Sequence, residues 1–108
     1  MKSLDERAAD LLEAAGAVVW LPEWWTKNRW AADSLGRSCI SSEADACAFC
    51  AIGALEAASA HQGLFFHART ALQNYVHRDV TVFNDHASSN EDVATAMFRA
   101  ADALRGTK

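Results

Sequence analysis

Three cysteines, Cys39, Cys47 and Cys50, fall within twelve residues of one another and are the first side chains able to do chemistry. Spaced as Cys39-x7-Cys47-x2-Cys50, with His61 or His67 as a fourth donor, they have the ligand types of a structural zinc site. The context argues otherwise. Zinc half-sites sit in turns, whereas this pair lies in Ala46-Cys-Ala-Phe-Cys-Ala51, where thiols behave as small apolar residues. The expectation is therefore buried, reduced thiols, with no metal and no cofactor. The same thiols admit a second chemistry. Cys47, near the N-terminus of an expected helix, would have a lowered pKa, Cys50 is the alternative nucleophile, and the Asn84-Asp85-His86 loop offers a base and its orienter. A thiol-dependent enzyme is the alternative reading on those five residues. Neither a glycine-rich oxyanion element nor a phosphate loop accompanies them. The bland reading of Asn84-Asp85 is a side-chain turn leading into the last helix. His61, His67, His77 and His86 show no i, i+4 ligand spacing.

The other unusual segment is Trp20-Leu-Pro-Glu-Trp-Trp-Thr-Lys-Asn-Arg-Trp30, with four indoles in eleven residues. Lys27, Arg29 and Arg37 interleave with the rings as in single-strand binders. The overall charge of −4 opposes that use, because phosphate neutralisation needs a basic surface. Tryptophan and arginine are also the residues that anchor protein interfaces. Trp24, Trp25, Arg29 and Trp30 are the expected contact residues for another protein, a second copy of the chain included. At least one ring is expected to be exposed, while others cap the core.

The elements that must position these groups are mainly helical. The chain has 108 residues, 51% hydrophobic, but 23 of them are alanine. That suits one core and one domain over residues 1–108. Ser3-Leu-Asp-Glu6 is a capping box that starts a helix over Leu4 to Ala15, with Gly16 as its stop. Arg29–Asp33 and Arg37–Ile40 read as a β-hairpin around Ser34-Leu35-Gly36. Ser42 to Ala60 is almost uncharged and reads as a central, buried helix, with Cys50, Gly53, Ala54 and Ala57 as a small-residue stripe. A third helix spans Leu64 to His77, with Phe65, Ala68, Leu72, Tyr75 and Val76 inward. Asp79–Phe83 alternates like a short strand. Ser88-Ser-Asn-Glu91 opens a last helix with Val93, Ala96, Met97, Ala100 and Leu104 as its apolar stripe and Gly106 as its close. The sum is a mainly α fold of four helices with a minor β-hairpin.

The order Trp25, Gly36, Cys47-x-x-Cys50-Ala-Ile-Gly-Ala-Leu55, Phe83-Asn84-Asp85 and the helix Asp92-Val93…Ala100-Ala101…Ala103 resembles a family of small uncharacterised bacterial and phage-encoded proteins. Its signature runs Cys-x-x-Gly-Ala-Leu, then Trp-Asn-Asp, then a helix. Phe83 stands where that family has tryptophan, and Trp24-Trp25 where it has Gly-Trp. The resemblance implies an architecture and no reaction. It also implies a phage or mobile-element setting, in which a small regulatory module would inhibit a host system. The longest strongly apolar stretch, Ala14 to Leu21, is too short to span a bilayer. The acidic start, Ser3-Leu-Asp-Glu6, lacks the features of an export signal, and an odd cysteine count suits a reducing compartment. A cytoplasmic protein-interaction or regulatory module, with no membrane or nucleic-acid partner, is the resulting expectation.

Overall fold

A computed structural model describes residues 2–59 and 62–106. In chain order these form α1 (Leu4–Val19), a 3-10 turn (Pro22–Trp24), β1 (Ala31–Asp33), β2 (Ser38–Cys39), β3 (Ala46–Phe49), α2 (Ala51–Ala58), α3 (Gln62–Val76), α4 (Val80–His86) and α5 (Asn90–Leu104). Five helices are present among the described residues where the sequence pattern gives four, and the β element has three strands.

α1 begins where expected. The Ser3 hydroxyl accepts from the Glu6 amide at 3.1 Å, and Asp5 and Glu6 occupy the first turn, where the helix dipole favours acids. It does not stop at Gly16. That glycine is buried inside the helix, and a Cβ there would lie 2.6 Å from the Phe98 ring of α5. Close packing of α1 on α5, rather than a left-handed cap, is what the glycine provides. The carbonyls of Val19 and Trp20, at the end of α1, are taken by the Asn90 side-chain amide at 3.0 and 2.7 Å. A buried polar residue on the far helix thus satisfies acceptors that a helix end leaves open.

The expected hairpin forms. β1 pairs antiparallel with β2, Ala31 opposite Cys39, and Asp33 closes its turn. The Asp33 carboxylate accepts from the Leu35 and Arg37 amides at 3.0 and 2.9 Å and from Arg37 Nε at 3.0 Å. Gly36 adopts φ +78°, a left-handed turn conformation open to glycine.

The long central helix over Ser42 to Ala60 does not form. Residues 40–46 make consecutive turns, with Glu43 N–H donating to Ile40 C=O and Ala46 N–H to Glu43 C=O. Ala46–Phe49 then pairs antiparallel with β1 on the side away from β2, giving the order β2-β1-β3. Only Ala51–Ala58 is helical; Ala60 lies outside the described residues. Ala-Cys-Ala-Phe has little strand preference of its own, so the open edge of β1 decides its conformation. The helical part is still buried, from Ala51 through Leu55.

Asp79–Phe83 is the other correction. The Asp79 carboxylate accepts from the Thr81 amide at 2.9 Å and starts α4, which buries Val80 and Asn84. The alternation of valines conceals an N-cap. The Asn84-Asp85-His86 segment is therefore the C-terminal turn of a helix, not a loop. α3 and α5 follow their patterns, except that Tyr75 is exposed rather than inward. The Ser89 hydroxyl, one residue later than expected, caps α5 through the Asp92 amide at 3.3 Å.

One continuous core results. Leu11, Leu12, Ala15 and Val19 of α1 meet Ile52 and Leu55 of α2, Leu64 and Leu72 of α3, Val80 of α4, and Val93, Met97 and Ala100 of α5. Each fully buried Leu, Ile or Met contributes roughly 1.5–3 kcal/mol relative to exposure. The many buried alanines let helix axes approach closely, which is how so small a supply of large side chains closes a core. No helix among the described residues is long and apolar enough to cross a membrane.

Candidate functional site

The tryptophan segment leaves α1 at Trp20 and turns at Pro22, whose fixed φ suits the first position of the 3-10 turn. The backbone then extends. Trp25 bridges Phe49 in parallel, and Thr26 N–H donates to Phe49 C=O at 3.1 Å, so this segment covers the outer edge of β3. Left-handed Asn28, φ +62°, reverses the chain into β1.

This segment is pinned from α4. Asn84 is fully buried, and its side-chain oxygen accepts from Trp25 Nε1 at 2.8 Å and from the Ala51 amide at 3.0 Å. Its amide donates to Thr26 C=O at 3.1 Å and to Asp85 Oδ1 at 3.3 Å. Asp85 Oδ1 also accepts from the Asn28 amide at 2.8 Å. Asn84 thus satisfies an orphan donor at the start of α2 while holding an indole against the core. Lys27 lies 5.4 Å from the Trp25 ring centroid, within cation–π range.

The thiols do not converge. Cys47 is exposed on β3 at a bulge: Ala48 faces Ala32 and Ala46 faces Asp33, so Cys47 is the additional residue. It is on a strand, not at a helix N-terminus. Cys50 occupies that position instead, as N-cap of α2, its sulfur accepting from the Gly53 amide at 3.3 Å. Burial pushes its thiol up, against the Gly53 and Ile52 amides, which favour the thiolate; Asp85 raises it further. Cys39 is on the opposite edge strand from Cys47, and desolvation followed by Glu43, Asp33 and Asp45 raises its pKa. His86 directs Nδ1 to its own helix, 2.9 Å from Val82 C=O. His67 pairs with Asp5 at 2.7 Å, and His61 lies outside the described residues. Among the described residues no group of three or more His, Cys, Asp or Glu is placed to hold a metal ion.

The four tryptophans part company. Trp25 is half-buried and packs on the core, whereas Trp20, Trp24 and Trp30 are 47%, 44% and 48% exposed. Arg29 is half-buried and donates from Nη1 to Gly36 C=O at 2.6 Å. Trp20 rests on Phe98, with ring centroids 6.2 Å apart. Trp30 instead reaches α3, where it lines a cleft of about 300 Å³ with Glu56, Ser59, Gln62, Phe65, Phe66 and Arg69. Phe65 is buried beneath it and Phe66 is 54% exposed, their rings 5.3 Å apart and nearly edge-to-face. Phe66 is absent from the sequence-derived set. Its signal was its place in the stripe: Leu64 and Phe65 are both buried, and Phe66, about 100° further round the helix, falls outside the apolar face.

No curated protein and no solved structure matches the chain. A family model does, over residues 3–104, which takes in every element described above. The chain belongs to the Family of unknown function (DUF6197).

Proposed function

We propose that the protein is a small protein-interaction module of regulatory type, whose contact surface is centred on Trp30 and Phe66, with Trp24 and Arg29 of the same tryptophan segment as further anchors. One observation carries the reading: two large rings from separate elements are about half exposed at one cleft, above the packed ring of Phe65. Exposed aromatic anchors beside a groove are the usual currency of protein contacts. Trp25 belongs to the scaffold of this surface rather than to its face, since its indole N–H is engaged by Asn84. The groups needed for the thiol reading have other employment. Asn84 and Asp85 hold the tryptophan segment, and the buried Cys50 thiol is pushed away from its reactive form. A cytoplasmic setting on a phage or mobile element, with a host protein as target, belongs to the same reading and draws its support from the family resemblance.

Photo-crosslinking in the source cell tests it. A benzophenone amino acid at position 30 or 66 should trap one protein that the same group at position 102, on α5, does not. Trp30→Ala should abolish the crosslink from position 66. Loss of biological activity in Cys47→Ala, with Trp30→Ala and Phe66→Ala active, would overturn the reading.

A further inference from the structure

We propose that the Trp30–Phe66 cleft receives an arginine side chain from a basic segment of the partner protein. The inference rests on the interaction reading and adds the partner's chemistry.

Size comes first. A cleft of about 300 Å³ is at the lower end of ligand pockets and admits one long side chain, not a helix. Its walls are the rings of Trp30 and Phe66, whose π faces attract cations, indole most strongly. A guanidinium is planar and weakly hydrated, so it stacks on such faces where an ammonium keeps its water.

Charge then selects the sign. Among the described residues the cleft is lined by one acid, Glu56, and one base, Arg69. Arg69 lies 3.8 Å from Asp79, a solvent-accessible ion pair that offsets part of its charge. Glu56 stands on the last turn of α2, exposed, and its carboxylate makes no ion pair among the described residues. An anionic occupant would meet Glu56 and share Arg69 with Asp79. A purely apolar occupant would cover the Glu56 carboxylate without a partner, which costs free energy. A guanidinium satisfies both the rings and the acid, and Gln62 lines the same cleft. The net charge of −4 favours approach of a basic segment from a distance.

The test is an NMR titration of the whole chain with four capped pentapeptides, Gly-Gly-X-Gly-Gly, where X is arginine, lysine, norleucine or glutamate. The arginine peptide should shift the Trp30 indole N–H and the Phe66 and Glu56 amides saturably, and bind most tightly. Glu56→Gln should weaken it about fivefold, the order expected of one exposed charge acting with a ring. Trp30→Ala should remove it, and Glu91→Gln on α5 should change nothing. Equal or tighter binding of the norleucine or glutamate peptide, or an unchanged affinity in Glu56→Gln, would overturn the cation assignment. In that case a surviving crosslink at position 66 would leave the interaction reading standing. Silence of the Trp30 indole with all four peptides overturns the cleft's role. A concentration-dependent shift without peptide that Arg37→Ala removes would overturn the assignment to a different protein, since Arg37 of a second copy would then be the occupant.

Discussion

The indole Nε1 of Trp25 and the side-chain oxygen of Asn84 meet at 2.8 Å across 59 positions of sequence. That single contact decides which of two adjacent tryptophans faces inward. Trp24, its neighbour, finds no such acceptor among the described residues and is 44% exposed. Because the same oxygen also takes the Ala51 amide, the contact ties three elements, the tryptophan segment, α2 and α4, at one atom.

Asn84→Ala should therefore be severe. It leaves buried donors on Trp25 and Ala51 and the Thr26 acceptor without partners, at about 1–3 kcal/mol for each group that water cannot reach. A loss of roughly 3 kcal/mol or more in denaturant unfolding is expected. Asn84→Asp keeps the acceptor but loses the donor to Thr26 and sets a second carboxylate against Asp85, so it should not rescue. A midpoint unchanged in either variant would show that the network is ornamental.

Trp25 and Trp30 should separate cleanly. Trp25→Ala removes a ring packed on the core and one of the two donors to the Asn84 oxygen, and should destabilise by about 3 kcal/mol. Trp30→Ala and Phe66→Ala remove half-exposed rings and should cost about 1 kcal/mol or less. Thermal melts of the three variants check this. The reverse ranking would make Trp30 a core residue and remove the contact surface.

Gly53→Ala should overpack the contact between α2 and the tryptophan segment. A Cβ there would lie 2.0 Å from the Trp30 carbonyl oxygen, which is backbone and cannot swing aside. A cost of about 2–3 kcal/mol is expected. Gly16→Ala meets only the Phe98 ring, which can move, and gains about 1 kcal/mol of helix propensity. It should come out much milder, and equal losses in the two variants would contradict the packing described.

Acid sensitivity should trace partly to Asp33. Backbone N–H of Arg37 and Leu35, with the Arg37 guanidinium, hold its carboxyl below the usual range of 3.8, against desolvation. A depressed folded pKa gives stability that is present above the unfolded value and lost as pH falls through the folded one. The loss therefore falls below about pH 4. Asp33→Asn should flatten stability against pH in that window and leave the slope near neutrality untouched.

Thiol labelling should rank the cysteines. Cys47 should react with an aromatic disulfide at once, Cys39 more slowly, and Cys50 only as fast as the protein opens. Mass spectrometry of quenched samples gives the order. Immediate labelling of Cys50 would remove it from the start of α2.

The elements that the sequence discloses are those with local causes. Ser3 and Glu6, the stripe from Val93 to Leu104, and the turn at Ser34-Leu35-Gly36 carry their own instructions within a few residues. Ala46–Phe49 does not: its strand depends on β1, some fifteen residues earlier, offering an open edge. Asp79 was a readable cap, hidden by the alternation that follows it. The candidate surface was half legible. Trp24, Arg29 and Trp30 could be picked by type, but the inward fate of Trp25 requires knowing where Asn84 lies. Glu56 and Arg69 join Trp30 only through the packing of α2 and α3, which no spacing in the chain encodes.

Asn90 closes the end of α1 from seventy residues downstream. During synthesis the first helix must therefore leave the ribosome with its last carbonyls and its apolar face uncovered, and it stays so until the final helix is made. Folding is then an all-at-once event timed by the C-terminal segment, dominated by contacts distant in sequence, and slower than for helices that pair with their neighbours. A nascent chain arrested before residue 90 should be digested by protease throughout, and protection should arrive in one step once Asn90–Leu104 has emerged.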